Sequence, residues 1–263
     1  MTSWHAGFAC VPLFAYAAVP RKGWIVMPVS YQRVILKLSG EALGVDGKGF
    51  CHEKFEDAAK MLIEIHRTGV QLAVVIGAGN VWRGRRGAAK RMGTVAADQM
   101  GMLGTLQNCL YMRDTLAHLG ASATVMSAVD MPRFAQSYNT VRALELLGQG
   151  QIVLFACGIG NPCFSTDTAV VLRGIELECD AILMAKNIDG VYTADPHVDP
   201  SATLIRDISY AEAAARDLKV MDAAAFSLLR ENAVPQVRVF GLQPAHNVIE
   251  VLRGDPMGTV LHP

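Results

Sequence analysis

The sequence predicts an α/β fold in which a mostly parallel sheet is covered by helices on both faces. Short, continuous apolar segments alternate along the chain with stretches whose apolar residues recur at helical spacing. Strands that are apolar on both sides belong to sheets buried on both faces, and such sheets are mostly parallel. Apolar residues make up 51% of the 263 residues and charged residues 18%, which supports a large core and argues against a disordered chain.

The predicted strands coincide with runs of β-branched and other apolar residues. They are Arg33 to Leu38, Gln71 to Ile76, Ala123 to Met126, Gln151 to Phe155, Ala181 to Met184, Gln236 to Phe240 and Thr259 to Leu261. Helices are predicted over Phe55 to Ile65, Asp98 to Leu119, Thr140 to Leu147, Thr168 to Glu178, Tyr210 to Leu218, Ala223 to Asn232 and Asn247 to Leu252. No internal repeat or low-complexity linker interrupts this order, and only the Asp- and Pro-rich segment 187–203 could divide two lobes.

Residues 1–30 are expected to lie outside this domain. The apolar run from Phe8 to Val19 is too short to span a membrane, and it contains Pro12. No Lys or Arg precedes it, so the charged start of a secretory signal is missing. We expect an extension that is either poorly ordered or upstream of a translation start at Met27.

Charge and cysteine content exclude several functional classes. The 24 Lys and Arg residues balance 24 Asp and Glu residues, which argues against a protein that coats nucleic acid or an anionic membrane by bulk charge. The six cysteines form no Cys-x-x-Cys pair, which argues against a zinc site or a thioredoxin-like motif. Free thiols are typical of a reducing compartment, so we expect a cytoplasmic protein without membrane or nucleic-acid partners.

The candidate functional residues follow the predicted strands, because ligands of open α/β sheets bind beyond the carboxyl ends of the strands. Lys37 with the Ser39-Gly40 turn suits a phosphate group, since the ammonium supplies charge and glycine lets backbone amides approach closely. The segment 77–80 (Gly-Ala-Gly-Asn), followed by Arg83, suits a phosphoryl group as well. Ordinary tight turns with solvated basic residues would explain either segment equally well.

The third and fourth strands also lead into polar loops. The loop from Gly158 to Thr166 precedes a helix, and its amides and hydroxyls suit a second anion, although Asp167 could simply cap that helix. Tyr192, after the fourth strand, could flank a nucleobase. The sequence has no Walker P-loop, Gly-x-Ser-x-Gly elbow, His-Glu-x-x-His or Cys/His metal spacing, and no metal-ligating residues are predicted. The expected chemistry is phosphate handling without a Walker loop.

Six motifs in register give the chain a close resemblance to the bacterial uridylate kinases, of the amino-acid-kinase superfamily. The motifs begin at Lys37, Val74, Asp98, Gly160, Asp189 and Lys219, and the resemblance spans Tyr31 to Leu261. It implies a three-layer αβα sandwich and a single kinase domain over 31–263, with an acceptor-binding N-terminal lobe and an ATP-binding C-terminal lobe. It further implies transfer of the ATP γ-phosphoryl group to UMP with Mg²⁺, a homohexamer built from dimers, and inhibition by UTP.

The resemblance also implies roles for individual residues. The catalytic residues would be Lys37, Arg83 and Asp167, with Asp167 orienting lysine or the UMP-side loop rather than accepting a proton. The ATP-binding residues would be Lys37, Leu38, Ser39, Gly40, Gly79, Arg83, Lys186, Tyr192 and Asp195. The UMP-binding residues would be Ala78, Asp98, Ile159, Gly160, Asn161, Pro162, Cys163, Phe164, Ser165 and Thr166.

Some positions depart from the family pattern. Ala78 replaces the middle of three glycines, Ile159 replaces a residue that is often Thr, and Cys163 replaces a common aromatic. Thr124 and Gln151 stand where some members place arginines linked to GTP regulation, which leaves GTP activation open.

Three alternatives remain open at this point. The helix Asp98 to Leu119 is apolar on more than one face, which double-sided core burial or a subunit contact would explain. The acceptor could be a carboxylate or carbamate, as in other kinases of the superfamily. The chain could also be a non-catalytic nucleotide- or oxyanion-binding protein on the same scaffold.

Overall fold

The structure, a computed structural model, describes residues 29–82, 92–196, 198–218, 220–232, 234–244 and 246–263. Residues 1–28 of the expected extension 1–30, and Arg83 with its predicted role, therefore lie outside the described residues.

In the part of the chain that the structure describes, a nine-stranded sheet forms the centre of the fold, with the strand order β4-β3-β5-β2-β1-β6-β10-β11-β9. Its strands are β1 (Arg33–Leu38), β2 (Gln71–Ile76), β3 (Ala123–Ser127), β4 (Gln136–Ser137), β5 (Ile152–Ala156), β6 (Ala181–Lys186), β9 (Asp207–Ser209), β10 (Val237–Gly241) and β11 (Thr259–His262). β7 (Val191–Tyr192) and β8 (Leu204–Ile205) form a separate antiparallel pair. Within the main sheet, neighbouring strands run parallel except β10 and β11, so the predicted mostly parallel sheet is confirmed.

Helices cover both faces of the sheet. The helices are α1 (His52–Arg67), α2 (Thr94–His118), α3 (Thr140–Gly148), α4 (Thr166–Glu176), α5 (Tyr210–Ala215), α6 (Ala223–Asn232) and α7 (Asn247–Leu252). Apolar residues of α1, α2 and α7 pack on one face, and those of α3 to α6 pack on the other. The sheet and these two helical layers make the predicted three-layer αβα sandwich.

Side chains of β1 alternate between the two helical layers, as the pleat of a strand requires. Val34, Leu36 and Leu38 lie in the core under α1, α2 and α7, whereas Ile35 lies in the core under α3 to α6. Lys37 is therefore directed to the same face as Ile35, at the carboxyl end of the strand. β1 lies between β2 and β6, which places Lys37 in the middle of the sheet edge where ligands of such folds bind.

The observed elements differ from the predicted ones mainly at their ends. Helix α2 begins at Thr94, four residues before the predicted start at Asp98. Helix α5 ends at Ala215, because Asp217 adopts a left-handed conformation with φ 50°. The short strands β4, β7, β8 and β9 were not predicted. Among the residues that the structure describes, no helix is both long enough and apolar enough to cross a membrane.

Candidate active site

The centre of the candidate site is an ion pair between β1 and the start of α4. Lys37 Nζ lies 3.1 Å from Asp167 Oδ1, and the two side chains are 15% and 20% exposed. Asp167 is held in the first turn of α4 because the side chain of Ser165, the N-cap residue, accepts a hydrogen bond of 3.0 Å from its amide. The ion pair is accessible from solvent and lies between two loops rich in glycine.

Lys186 ends β6, the strand next to β1, and brings a second ammonium to this centre. Burial lowers the pKa of Lys186, the Asp167 carboxylate raises it, and the Lys37 ammonium lowers it further. Its Nζ donates to the backbone carbonyl of Val220. Two ammonium groups share one carboxylate here, so the site carries a local excess of positive charge suited to an anion.

Two glycine turns meet directly beside Lys37. A Cβ on Gly40 would lie 2.3 Å from Gly77 O, 2.6 Å from Asn80 Oδ1 and 2.7 Å from Gly79 N. Only glycine fits at position 40, because real Cβ contacts of this kind are essentially never below 3.0 Å. The turn after β1 and the turn after β2 therefore pack directly against each other through their backbones.

The buried side chains of Asn80 and Asn108 hold the turn after β2 in place. Asn108 of α2 donates to Gly77 O at 2.7 Å and to Asn80 Oδ1 at 2.8 Å, while Asn80 donates to Gly49 O at 2.8 Å. Because a trans peptide holds its C=O and N–H in opposite directions, the amide of Ala78 is directed away from Asn108. No described residue accepts a hydrogen bond from the Ala78 amide.

The methyl group of Ala78 does not obstruct the site. Ala78 has a negative φ, and its Cβ packs against α2, 3.0 Å from where a Cβ on Gly104 would lie. Glycine at position 104 leaves space for this methyl group, so the fold accommodates alanine where the family pattern has glycine.

The loop after β5 is built on four left-handed residues. Cys157, Gly158, Gly160 and Cys163 have φ values of 63°, 59°, 89° and 73°. The amide of Cys163 donates to Asp98 Oδ2 at 2.7 Å, so the predicted UMP residues Asp98 and Cys163 are in direct contact. This hydrogen bond joins the loop to the start of α2.

Asp222 anchors the end of this loop, a role that the sequence did not reveal. It accepts hydrogen bonds from the hydroxyls of Ser165 and Thr168 and, at 2.8 Å, from the amide of Ala225 at the start of α6. Burial raises the pKa of Asp222, but the hydrogen bonds from Ser165, Ala225 and Thr168 outweigh it and lower the pKa below its ordinary value. The only sequence signal was its place in the motif that begins at Lys219.

Comparison with known proteins places the chain in a family. Residues 32–241 match the model of the amino acid kinase family. A uridylate kinase from Nocardioides sp. is 44% identical over 232 residues, which cover 88% of this chain and 98% of the relative. The chain belongs to the amino acid kinase family. The resemblance seen in the motifs is confirmed.

Solved structures of UMP kinases share the architecture of this amino acid kinase. The UMP kinase from Bacillus anthracis superposes with a TM-score of 0.84 at 34% identity, covering 88% of this chain and 96% of the other. The UMP kinase from Ureaplasma parvum superposes with a TM-score of 0.82 at 31% identity, covering 88% and 99%.

The remaining predicted residues of this amino acid kinase are less closely gathered. The side chain of Leu38 lies in the core, and its carbonyl accepts from Gly77 N at 2.9 Å. Phe164 is exposed, and Ile159 packs against the core under α3 to α6. Tyr192 lies in the β7–β8 pair, where the neighbouring Val191 amide donates to Thr259 Oγ1 at 2.8 Å.

Asp195 starts the turn that follows this pair. Its carbonyl accepts from the amides of Val198 and Asp199 at 3.0 and 2.8 Å. Tyr192 and Asp195 thus follow Lys186 and β6 along the chain, and their role in ATP binding stays a prediction.

Proposed function

We propose that this amino acid kinase is a UMP kinase that transfers the γ-phosphoryl group of ATP to UMP, giving ADP and UDP. The observation that carries the proposal is the Lys37–Asp167 ion pair. Lys37 precedes the glycine turn that packs against the turn after β2, and Asp167 follows the loop after β5 (residues 157–165), which we call the acceptor loop. Relatives that share 31% to 44% of the sequence are uridylate or UMP kinases. The product UDP gives the enzyme a place in pyrimidine nucleotide biosynthesis.

The residues of the site provide electrostatic stabilisation rather than acid–base chemistry. In phosphoryl transfer, charge spreads over the oxygens of the transferred group, so fixed cations and amides supply most of the catalysis. Lys37 and Lys186 supply the charge, and the turns at Gly40 and Gly79 supply backbone amides. UMP carries a phosphate whose second pKa is about 6, so at pH 7 the acceptor is mostly dianionic and needs no general base. We assign Asp167 the task of orienting Lys37.

Mg²⁺ is proposed to accompany ATP. Asp167 Oδ1 is buried, accepts no hydrogen bond among the described residues and lies 3.1 Å from Lys37 Nζ, so the Asp167 carboxylate is the group that would hold the ion. No three His, Cys, Asp or Glu side chains gather around a common point in the part of the chain that the structure describes. Mg²⁺ commonly keeps one or two carboxylates together with water and phosphate oxygens, and it would neutralise charge between the β- and γ-phosphates.

The binding regions follow from this assignment. ATP is proposed to bind along Lys37 to Gly40, Gly79, Arg83, Lys186, Tyr192 and Asp195. UMP is proposed to bind between Ala78, Asp98 and the loop from Ile159 to Thr166. The short contact between Asp98 and Cys163 supports a common UMP pocket for these two segments.

A homohexamer built from dimers, with allosteric regulation and with inhibition by UTP at the UMP site, is part of the proposal. Helix α2 supports the assembly, because Val95, Met100 and Leu103 on its surface are 52%, 44% and 45% exposed. Apolar side chains this exposed on one helix suit burial against a second copy of the chain. A cytoplasmic location is proposed on the free thiols of Cys109, Cys157 and Cys179.

Phosphorylation of different nucleoside monophosphates tests the proposal. The purified protein is incubated with ATP, Mg²⁺ and either UMP, CMP, dTMP or AMP, and ADP release is followed by a coupled assay. UMP is expected to be the preferred acceptor. Absence of ADP release with all four, despite tight ATP binding, would favour a non-catalytic nucleotide-binding protein instead.

A further inference from the structure

Helix α2 contacts the acceptor loop at two points, Cys157 and Cys163. Near the start of the helix, Asp98 Oδ2 accepts from the amide of Cys163. Seven residues later, which is two helical turns, Thr105 Oγ1 accepts from the amide of Cys157 at 2.8 Å. Residues two turns apart lie on the same side of a helix, so a single face of α2 holds both the first and the last left-handed cysteine of the loop.

The Thr105 hydroxyl is fixed in the orientation that this contact needs. Thr105 is 4% exposed, and its Oγ1 donates to Met102 O at 2.6 Å, so its lone pairs face the Cys157 amide. Cys157 is buried as well and has a φ of 63°, a conformation that costs energy for any residue with a side chain. The Cys157 carbonyl then accepts from Gly160 N at 3.0 Å, which forms the turn leading to the rest of the loop.

We infer that Thr105 is a positioning residue for UMP, acting through the Cys157 amide rather than by contact with the substrate. The inference rests on the proposed function, because it assigns the loop from Ile159 to Thr166 to UMP. If the hydroxyl is removed, the buried Cys157 amide loses its acceptor, and the loop relaxes from its left-handed turn. The acceptor then binds to a loop that must be reordered on binding.

The chain offers a matched control on the same helix. Thr115 is also buried, at 6% exposed, but its Oγ1 donates back to Tyr111 O at 3.0 Å within α2. Thr105→Val and Thr115→Val remove the same hydroxyl from the same helix with the same change of shape. Thr105→Ser restores the hydroxyl at the tested position.

Steady-state kinetics with UMP and ATP varied separately test the inference. Thr105→Val is expected to raise KM for UMP about tenfold, with kcat and KM for ATP changed by less than about twofold, as loss of one buried hydrogen bond predicts. Thr115→Val should leave all three constants near wild type, and Thr105→Ser should recover most of the UMP affinity. Equal constants for the two valine variants, or a proportional loss of kcat and both affinities, would overturn the positioning role.

Hydrogen exchange separates this inference from the proposed function. The peptide containing residues 157–163 is followed by mass spectrometry in the nucleotide-free protein. Thr105→Val should exchange faster there than both wild type and Thr115→Val. If wild type fails to phosphorylate UMP but the exchange difference is present, the proposed function fails, while the role of Thr105 in ordering the loop stands. If exchange is the same in all three proteins, that role of Thr105 is refuted whatever the activity.

Discussion

Gly40→Ala tests whether the two glycine turns must touch. The added Cβ would lie 2.3 Å from Gly77 O and 2.7 Å from Gly79 N, against an ordinary contact distance of 3.4 Å or more. The turn after β2 would have to move by about 1 Å, and a displacement of this size in a catalytic site costs on the order of 100-fold in rate. Overpacking of this kind costs a further 1–3 kcal/mol or so in unfolding free energy.

The measurements are kcat/KM for UMP in the coupled assay and the melting temperature by calorimetry. A fall of roughly 100-fold in kcat/KM is expected, together with a melting temperature lowered by about 2–4 °C for each kcal/mol lost. Gly148→Ala is the control, because a Cβ there meets nothing within 4 Å at the end of α3. Helix propensity predicts a neutral or slightly stabilising effect for the control. Wild-type activity and stability in Gly40→Ala would refute the close contact of the turns.

Three further predictions concern charge, acceptor binding and assembly. Asp167→Asn removes the carboxylate that raises the pKa of Lys186, so this pKa falls and the alkaline limb of the pH–activity profile should move to lower pH; an unmoved limb would exclude the coupling. Asp98→Asn weakens a charge-assisted hydrogen bond to Cys163 and should mainly raise KM for UMP, whereas an unchanged KM would make Asp98 structural. Analytical ultracentrifugation should show six times the chain mass for wild type and smaller species for Leu103→Glu, and a stable wild-type monomer would contradict the proposed contact.

The central strands were predictable because the residues within each strand already indicate that it is buried. β1, β2, β5, β6 and β10 are short, apolar and β-branched, and the structure places each of them close to its predicted position. The short strands were not predictable, since a two-residue strand such as β4 has polar, exposed residues and exists only through its pairing with β3.

Helix ends were predicted less well where capping signals are weak. Gly93, the N-cap of α2, offers no side-chain hydrogen bond, and the first turn of the helix contains no acidic residue. The helical spacing of apolar residues becomes recognisable only several positions after Thr94, so the helix was predicted to start too late. In contrast, Ser165 caps α4 with its own hydroxyl, and the predicted start was within two residues of the observed one.

The site was predictable where residues follow strands and unpredictable where they act across the fold. Lys37 and Gly40 stand at a strand end, which is a local signal for a ligand edge. Thr105 acts on an amide 52 positions away, and Ser165 binds Asp222 at a separation of 57 positions. Neither pairing has a local pattern, because buried threonines and turn aspartates are common in any α/β protein.

The measurement closest to the central claim is the turnover of Lys37→Ala with saturating ATP, Mg²⁺ and UMP. Lys60→Ala provides the control, since Lys60 is an exposed lysine that pairs with Glu56 at 2.8 Å on α1. If the Lys37 ammonium stabilises the transferring phosphoryl group, kcat should fall by at least about 10²–10³-fold with little change in the melting temperature, and Lys60→Ala should match wild type. A Lys37→Ala enzyme that is folded and turns over at a near wild-type kcat would contradict the account.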